Sequence, residues 1–232
     1  MTSAVLLAID TATRTISLAL HDGRSLHAEW SWRTADHHTV ELTPAIMSMM
    51  DRVGVRVEDL TALAVSQGPG SFMGLRIGLG VAKGLALSRR LPLVAVPTLD
   101  IIAAAQPRAR GRLLAVLQAG RGRIGWQAYT WRRGPDRQPP AMWRPRGKLA
   151  LGAWDDLLAQ IERATVVSGE IDDEGYRLLS QTARPVQIAP GAAALRRAGF
   201  LAEIAWARLR ADKAESRRLG DDPYTVTPIY LH

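Results

Sequence analysis

The chain of 232 residues contains no cysteine, which excludes disulfides, thiolate metal sites and a cysteine nucleophile. Histidine is scarce as well. His21, His27, His37, His38 and His232 are the whole supply, and His37 and His38, being adjacent, cannot share a helix face as the ligands of an H-x-x-x-H site do. No serine sits in a G-x-S-x-G elbow. No Lys-Ser/Thr pair follows a suitable glycine as a Walker loop requires, and Met73 stands where a dinucleotide fingerprint needs its third glycine. The acidic groups Asp155-Asp156, Asp172-Asp173-Glu174 and Asp221-Asp222 fall in predicted loops or helix starts, where carboxylates are common. These absences leave no catalytic residue and no metal site to assign. No apolar run approaches the roughly 18 residues of a membrane span. Met1 to Ile9 lacks the basic start of a secretory leader, so the expectation is a soluble, cytoplasmic protein without a membrane partner.

Hydrophobic residues make up 47% of the chain, enough for a globular protein of one large or two modest domains. Its most informative stretch runs from Gln67 to Leu87. Ala62 to Val65 reads as a buried strand, Gly68-Pro69-Gly70 as a tight turn and Ser71 as the N-cap of a helix. Within that helix Gly70, Gly74, Gly78, Ala82 and Ala86 recur every fourth residue and form one ridge of very small side chains, apart from the apolar ridge of Ile77, Val81 and Leu85. Each interior glycine costs about 1 kcal/mol relative to alanine, a penalty that the close approach of another backbone offsets. The neighbour can be internal or on another chain. Free amides at such a helix start also suit an anion.

Upstream, Val5 to Ile9, Thr15 to Leu20 and Arg24 to Trp32 predict a three-stranded meander, with Asp22-Gly23 as a hairpin turn. Asp10, Thr11 and Thr13 follow the first strand. Two readings fit them: a carboxylate holding hydrated magnesium beside phosphate-binding hydroxyls, or simple caps of the turn. Leu42, Ile46, Met49, Met50 and Val53 keep helical spacing up to Gly54. After the glycine helix come a strand at Leu93 to Val96 and a helix from Thr98 to Gln106. The second half repeats this plan, with strands at Leu113 to Leu117, Ile124 to Trp131 and Leu149 to Leu151, and a helix from Trp154 to Ile161. Strands at Thr165 to Ser168 and Pro185 to Ile188 follow, and Pro190 opens a helix reaching about Arg210.

Net charge is +8, and all of it lies beyond residue 104. Residues 106–150 hold Arg108, Arg110, Arg112, Arg121, Arg123, Arg132, Arg133, Arg137, Arg144, Arg146 and Lys148 against Asp136 alone, with Trp126, Tyr129, Trp131 and Trp143 interleaved. A basic, aromatic stretch is the footprint of nucleic-acid contact, and Arg121, Arg123, Arg132 and Arg133 are its RNA-contact candidates; a solvated face is the plainer account.

Three stretches together carry a resemblance. Leu7-Ala8-Ile9-Asp10-Thr11-Ala12-Thr13, the block Gly68-Pro69-Gly70-Ser71-Phe72-Met73-Gly74-Leu75-Arg76-Ile77-Gly78 with Ala82-Lys83-Gly84-Leu85-Ala86, and Pro228-Ile229-Tyr230-Leu231 resemble the bacterial TsaB (YeaZ) family. The first motif is shared with the wider superfamily of actin-like ATPases and sugar kinases. The resemblance implies an α/β protein of the actin-like ATPase (ribonuclease-H-like) fold with two duplicated βββαβα subdomains. Residues 1–104 would carry the partner-binding helices and 105–232 the basic stretch.

It further implies a non-catalytic subunit in the synthesis of N6-threonylcarbamoyladenosine (t6A) in tRNAs that read ANN codons. There a separate protein makes threonylcarbamoyl-adenylate, TsaD transfers the group with its metal-binding histidine pair, and the ATPase TsaE completes a ternary assembly. The family's partner surface, for TsaD or for a homodimer of the lone chain, lies on the helices flanking G-P-G-S-F. Here that surface corresponds to Leu42, Ile46, Met49 and Met50 with Gly70, Gly74, Gly78, Ala82 and Ala86. No cofactor of its own is implied, ATP and magnesium entering through the complex, as does tRNA. The alternative is a nucleotide-binding ATPase or kinase-like enzyme using Asp10, Thr11 and Thr13. Met73 departs from the threonine usual in the family, and His232 from its often basic last residue; glycoprotease activity gets no support from these residues.

Overall fold

Val5–Asp10 (β1) is apolar at every position but its last, and all six residues are buried, as a strand covered on both faces requires. A computed structural model describes residues 4–34, 38–132, 142–215 and 218–231. Thr15–His21 (β2) pairs antiparallel with β1, and Leu26–Arg33 (β3) antiparallel with β2. The predicted Asp-Gly turn joins them. Asp22 Oδ1 accepts from the Ser25 and Arg24 amides, each at 2.7 Å, and Gly23 takes a φ of +88° that suits glycine. These amides, with His27 beside the carboxylate, hold Asp22 at a pKa of about 2.

Leu60–Gly68 (β4) lies parallel to β1 and Leu93–Pro97 (β5) parallel to β4, so the sheet order is β3-β2-β1-β4-β5. His38–Arg52 (α1) joins β3 to β4, Phe72–Arg89 (α2) joins β4 to β5, and Thr98–Ala104 (α3) follows β5. Alternation along β1 divides its side chains between two cores. Leu7 and Ile9 join Leu42, Ile46 and Met49 of α1 and Leu79 and Ala82 of α2. Leu6 and Ala8 face the other way.

The second sheet repeats the first. Arg112–Gly120 (β6), Arg123–Arg132 (β7) and Met142–Gly152 (β8) form an antiparallel meander, and Thr165–Gly169 (β9) and Val186–Ile188 (β10) add parallel strands. Their order, β8-β7-β6-β9-β10, matches that of the first sheet. Trp154–Ala159 (α4) joins β8 to β9, Asp173–Gln181 (α5) joins β9 to β10, and Gly191–Ala194 (α6) follows β10. This is the duplicated actin-like ATPase fold.

The structure differs from the sequence reading in three elements. β8 is much longer than the predicted Leu149 to Leu151, because an edge strand tolerates the Arg, Pro and Lys that hide its pattern. α5 was not predicted; its start is set by Asp172, whose Oδ1 accepts from the Gly175 amide at 2.9 Å. The single helix expected from Pro190 is broken at 195–197. There the buried Arg196 turns to Glu170, at 3.2 Å.

The division of the chain also differs from a cut at 104/105. Met1–Ile101 with Arg197–Tyr230 form one compact unit, and Ile102–Arg196 with Leu231–His232 the other. The last helix, Ala198–Ala214 (α7), belongs to the first sheet because it supplies that sheet's second cover. Its Ala198, Leu201, Ala202 and Ala205 lie against Leu6, Ala8, Ala19, Ala62 and Ala64. Small residues on both sides let it approach closely. The first amides of α7, orphaned by helix geometry, find acceptors on that sheet. Ala198 N donates to Ser17 Oγ at 2.8 Å and Gly199 N to Glu29 Oε1 at 2.7 Å.

Ser17→Ala strands the buried Ala198 amide and is expected to cost about 1–2 kcal/mol in chemical denaturation; an unchanged midpoint would contradict this account of α7. Asp22 gives a pH prediction. With its folded pKa near 2 and its ordinary value at 3.8, its stabilisation of the hairpin is complete above the ordinary value and is lost as pH falls through 2. An NMR titration of the Arg24 and Ser25 amides should therefore have its midpoint near 2, not near 3.8.

Candidate functional site

The glycine helix begins as its sequence dictates. Ser71 is the N-cap of α2, its Oγ accepting from the Gly74 amide at 3.3 Å. Its own amide donates to the Ala12 carbonyl at 2.6 Å, and Thr11 Oγ1 donates to the Gly74 carbonyl at 2.7 Å. The helix therefore lies flush on the turn between β1 and β2. A Cβ added at Gly70 would overlap the Ala12 carbonyl oxygen, at Gly74 the Thr11 carbonyl oxygen, and at Gly78 the Thr11 hydroxyl. Ala82 and Ala86 continue the ridge into the core.

This corrects the expectation that the ridge is a partner surface. Gly70, Gly74, Gly78, Ala82 and Ala86 meet the chain's own turn and core, and Leu42, Ile46, Met49 and Met50 are buried in the same cluster. The compensation for glycine is an internal backbone. The third resembling stretch converges here too: Ile229 N donates to the Gln67 carbonyl at 2.8 Å, Gln67 Nε2 to the Thr227 carbonyl at 3.0 Å and Lys83 Nζ to the Val226 carbonyl at 3.1 Å.

The outward face of α2 is a different set. At about 100° per residue, Met73, Gly80, Gly84 and Leu87 fall within about 60° of one another, opposite the buried ridge. Met73 is 59% exposed, and among the described residues nothing lies within 4 Å of a Cβ added at Gly80 or Gly84. The neighbouring α1 exposes Val40 (69%) and Met47 (51%). Sequence reasoning missed this face. Its signal was available, since Gly80 and Gly84 fall off the every-fourth-residue row and their cost needs a separate explanation.

Asp10, Thr11 and Thr13 are brought together in the β1–β2 turn and are all buried, but their polar atoms serve the fold. Asp10 Oδ1 accepts from the Ala12 amide at 2.9 Å, and the Thr11 amide donates to Ser66 Oγ at 3.3 Å. Thr13 Oγ1 accepts from the Thr15 amide at 3.4 Å, and His38 Nε2 lies 2.9 Å from the Thr13 carbonyl. The capping account describes these contacts. Carboxylates elsewhere behave alike: Asp156 Oδ2 accepts from the Ala153 amide and Asp221 Oδ2 from the Ala95 amide, both at 2.8 Å. Among the described residues no three His, Asp or Glu side chains are grouped so as to hold a metal ion.

The RNA-contact candidates are not gathered. Arg121 occupies the β6–β7 turn, with φ +57°, and Arg123 begins β7, whereas Arg132 ends that strand, about 30 Å away at strand rise. Arg133 lies outside the described residues. No helix among the described residues is long and apolar enough to cross a membrane.

Comparison with known proteins matches this geometry to a family. The family model described as TsaD: tRNA N6-adenosine threonylcarbamoyltransferase matches residues 32–134. The tRNA threonylcarbamoyladenosine biosynthesis protein TsaB of Escherichia coli K12 is 39% identical over 126 residues, which span about half of each chain, 53% of this one and 54% of that one. The Bacillus subtilis protein of the same name is 30% identical over 71% of this chain and 70% of its own. That of Buchnera aphidicola from Schizaphis graminum is 31% identical, over 72% and 79%. Among solved structures, YeaZ from Pseudomonas aeruginosa superposes with a TM-score of 0.72 at 28% identity, covering 98% of this chain and 100% of that one. Likeness of this extent in both sequence and fold makes the chain a member of the TsaB family.

Proposed function

We propose that this chain is a non-catalytic subunit in the synthesis of tRNA N6-threonylcarbamoyladenosine, binding the transferase TsaD and holding it in its competent state. The observation that carries the reading is the match to TsaB proteins across some 70% of their length, since that is the process their name records. The likeness of residues 32–134 to TsaD supports pairing between two related folds. The proposed contact is the outward face of α1 and α2, through Val40, Met47, Met73, Gly80, Gly84 and Leu87, in place of the buried ridge. Glycines there cost helix stability, and among the described residues nothing packs over the place of their missing Cβ, which fits a partner helix lying close against them. The same face would close a homodimer when TsaD is absent, with TsaE joining the complex afterwards. The proposed setting is the cytoplasm.

The nucleotide-binding alternative draws less support, because Asp10, Thr11 and Thr13 already hold the turn together. We propose that the chain alone carries no nucleotide and that ATP and magnesium act within the complex. Calorimetry of the isolated chain with millimolar ATP and magnesium should show no binding heat; a saturable isotherm would restore the enzyme reading.

The two glycine sets separate folding from assembly. Gly74→Ala drives a methyl into the Thr11 carbonyl and should destabilise the chain by about 2 kcal/mol or more. Gly80→Ala and Gly84→Ala, with open space at the added carbon, should each stabilise it by about 0.5–1 kcal/mol. Gly80→Leu combined with Met47→Asp should leave the circular dichroism spectrum and melting temperature near those of the parent yet abolish co-elution with TsaD in size-exclusion chromatography. Undiminished co-elution would remove this face from the interface.

A further inference from the structure

α4 is only six residues long, about 9 Å, whereas β7 and β8 beneath it run for ten and eleven residues. Among the described residues a cleft of about 300 Å³ opens beside this helix, between β6, β7, β8 and the segment that follows α4. Four cations line it: Arg112 at the start of β6, Arg146 and Lys148 on β8, and Arg163 after α4. Among the described residues none that lines it is acidic, and the acidic side chain that acts on Arg112 is Glu162, beside Arg163.

Local structure aims these charges. Between Trp126 and Ala128 the β7–β8 register shifts, leaving extra residues on β8, with Gly147 at φ +77°. Gln127 Nε2 donates to the Arg146 carbonyl at 2.9 Å and fixes this bulge, which carries Arg146 and Lys148 to the rim. On the opposite side Arg112 Nε donates to Thr165 Oγ1 at 3.3 Å, another of its nitrogens donates to the Gln160 carbonyl, and Thr165 Oγ1 donates to the Arg163 carbonyl at 2.7 Å. The guanidinium is thus held in place with donors to spare. Burial, and after it the charge of Arg163, pushes the Arg112 pKa below its ordinary value, with Glu162 acting the other way.

The geometry points to this cleft as a seat for the phosphodiester backbone of a folded RNA stem. Four cations exceed what a single phosphate neutralises, so successive phosphates are the matching ligand. Trp126 and Tyr129, which form part of the floor, are buried, so their faces are not offered for base stacking as a single-strand platform would require. Contact with phosphate and without base readout is how paired RNA is held. The inference rests on the proposed role in tRNA modification, in which a stem of the tRNA would occupy the cleft.

The test uses the full chain and a fluorescently labelled tRNA transcript, followed by anisotropy from about 50 to 200 mM salt. The parent should bind with a slope of log affinity against log salt near −3, as three to four neutralised phosphates require. Arg146→Glu with Lys148→Glu should weaken binding at least tenfold at low salt and flatten the slope by about 2, and Arg163→Glu should flatten it by about 1. These three side chains are exposed, so melting temperatures should stay at the parent value. A single-stranded oligouridylate of equal charge should bind more weakly than the transcript. Unchanged RNA affinity in the charge-reversed chains, no binding by the parent, equal binding of oligouridylate, or displacement of the transcript by about 10 mM inorganic phosphate at constant ionic strength would each overturn the assignment. Co-elution of the same variants with TsaD keeps the two proposals apart: it should persist when RNA binding is lost, and its absence in the parent would instead count against the subunit role.

Discussion

α2 approaches the β1–β2 turn more closely than any residue bearing a β-carbon permits. Gly70, Gly74 and Gly78 lie over the carbonyls of Ala12 and Thr11 and the Thr11 hydroxyl, while the Ser71 amide and the Gly74 carbonyl bond to that same turn. Helix and turn thereby satisfy polar groups that neither could satisfy alone. With the turn fixed, β1 and β2 hold their register, and their two faces receive α1 and α2 on one side and α7 on the other.

That contact also bears on the Asp-Thr-x-Thr motif at residues 10–13. In this chain the carboxylate of Asp10 and the hydroxyls of Thr11 and Thr13 each bond to backbone within a few ångströms. Helix and turn meet over these same residues. The fold also presents two surfaces. The surfaces it presents are distinct: an apolar, glycine-bearing helical face on the first unit, and a cationic cleft on the second. Among the described residues nothing lies over Gly80 and Gly84 on the outer side of α2, and the short α4 adjoins the cleft on β7 and β8.

Much of this was legible from residues alone. Apolar runs, alternation, the Asp22-Gly23 turn and the Ser71 cap marked most elements, and the resembling stretches pointed to family and fold together. Elements were missed where local pattern is ambiguous. β8 carries charge and proline because it sits at an edge, α5 is announced chiefly by its cap, and α7 is separated from Pro190 by a break that depends on the distant Glu170. Among the basic residues, Arg112, Arg146 and Lys148 belonged to a recognisable cluster, but nothing in their spacing joined them to Arg163 or parted them from Arg121 and Arg132.

By itself, then, the sequence determined the repeating strand and helix plan, the absence of thiol chemistry, and the presence of a helix with an unusually smooth side. Periodicity along one segment can say that such a side exists. Only tertiary structure decided what lies against it, because the answer is supplied by residues dozens of positions away: the turn at Thr11 and Ala12 for the glycine row, and the first sheet for a helix at the far end of the chain. The same holds for charge, since which arginines stand together depends on strand pairing and on where a covering helix stops.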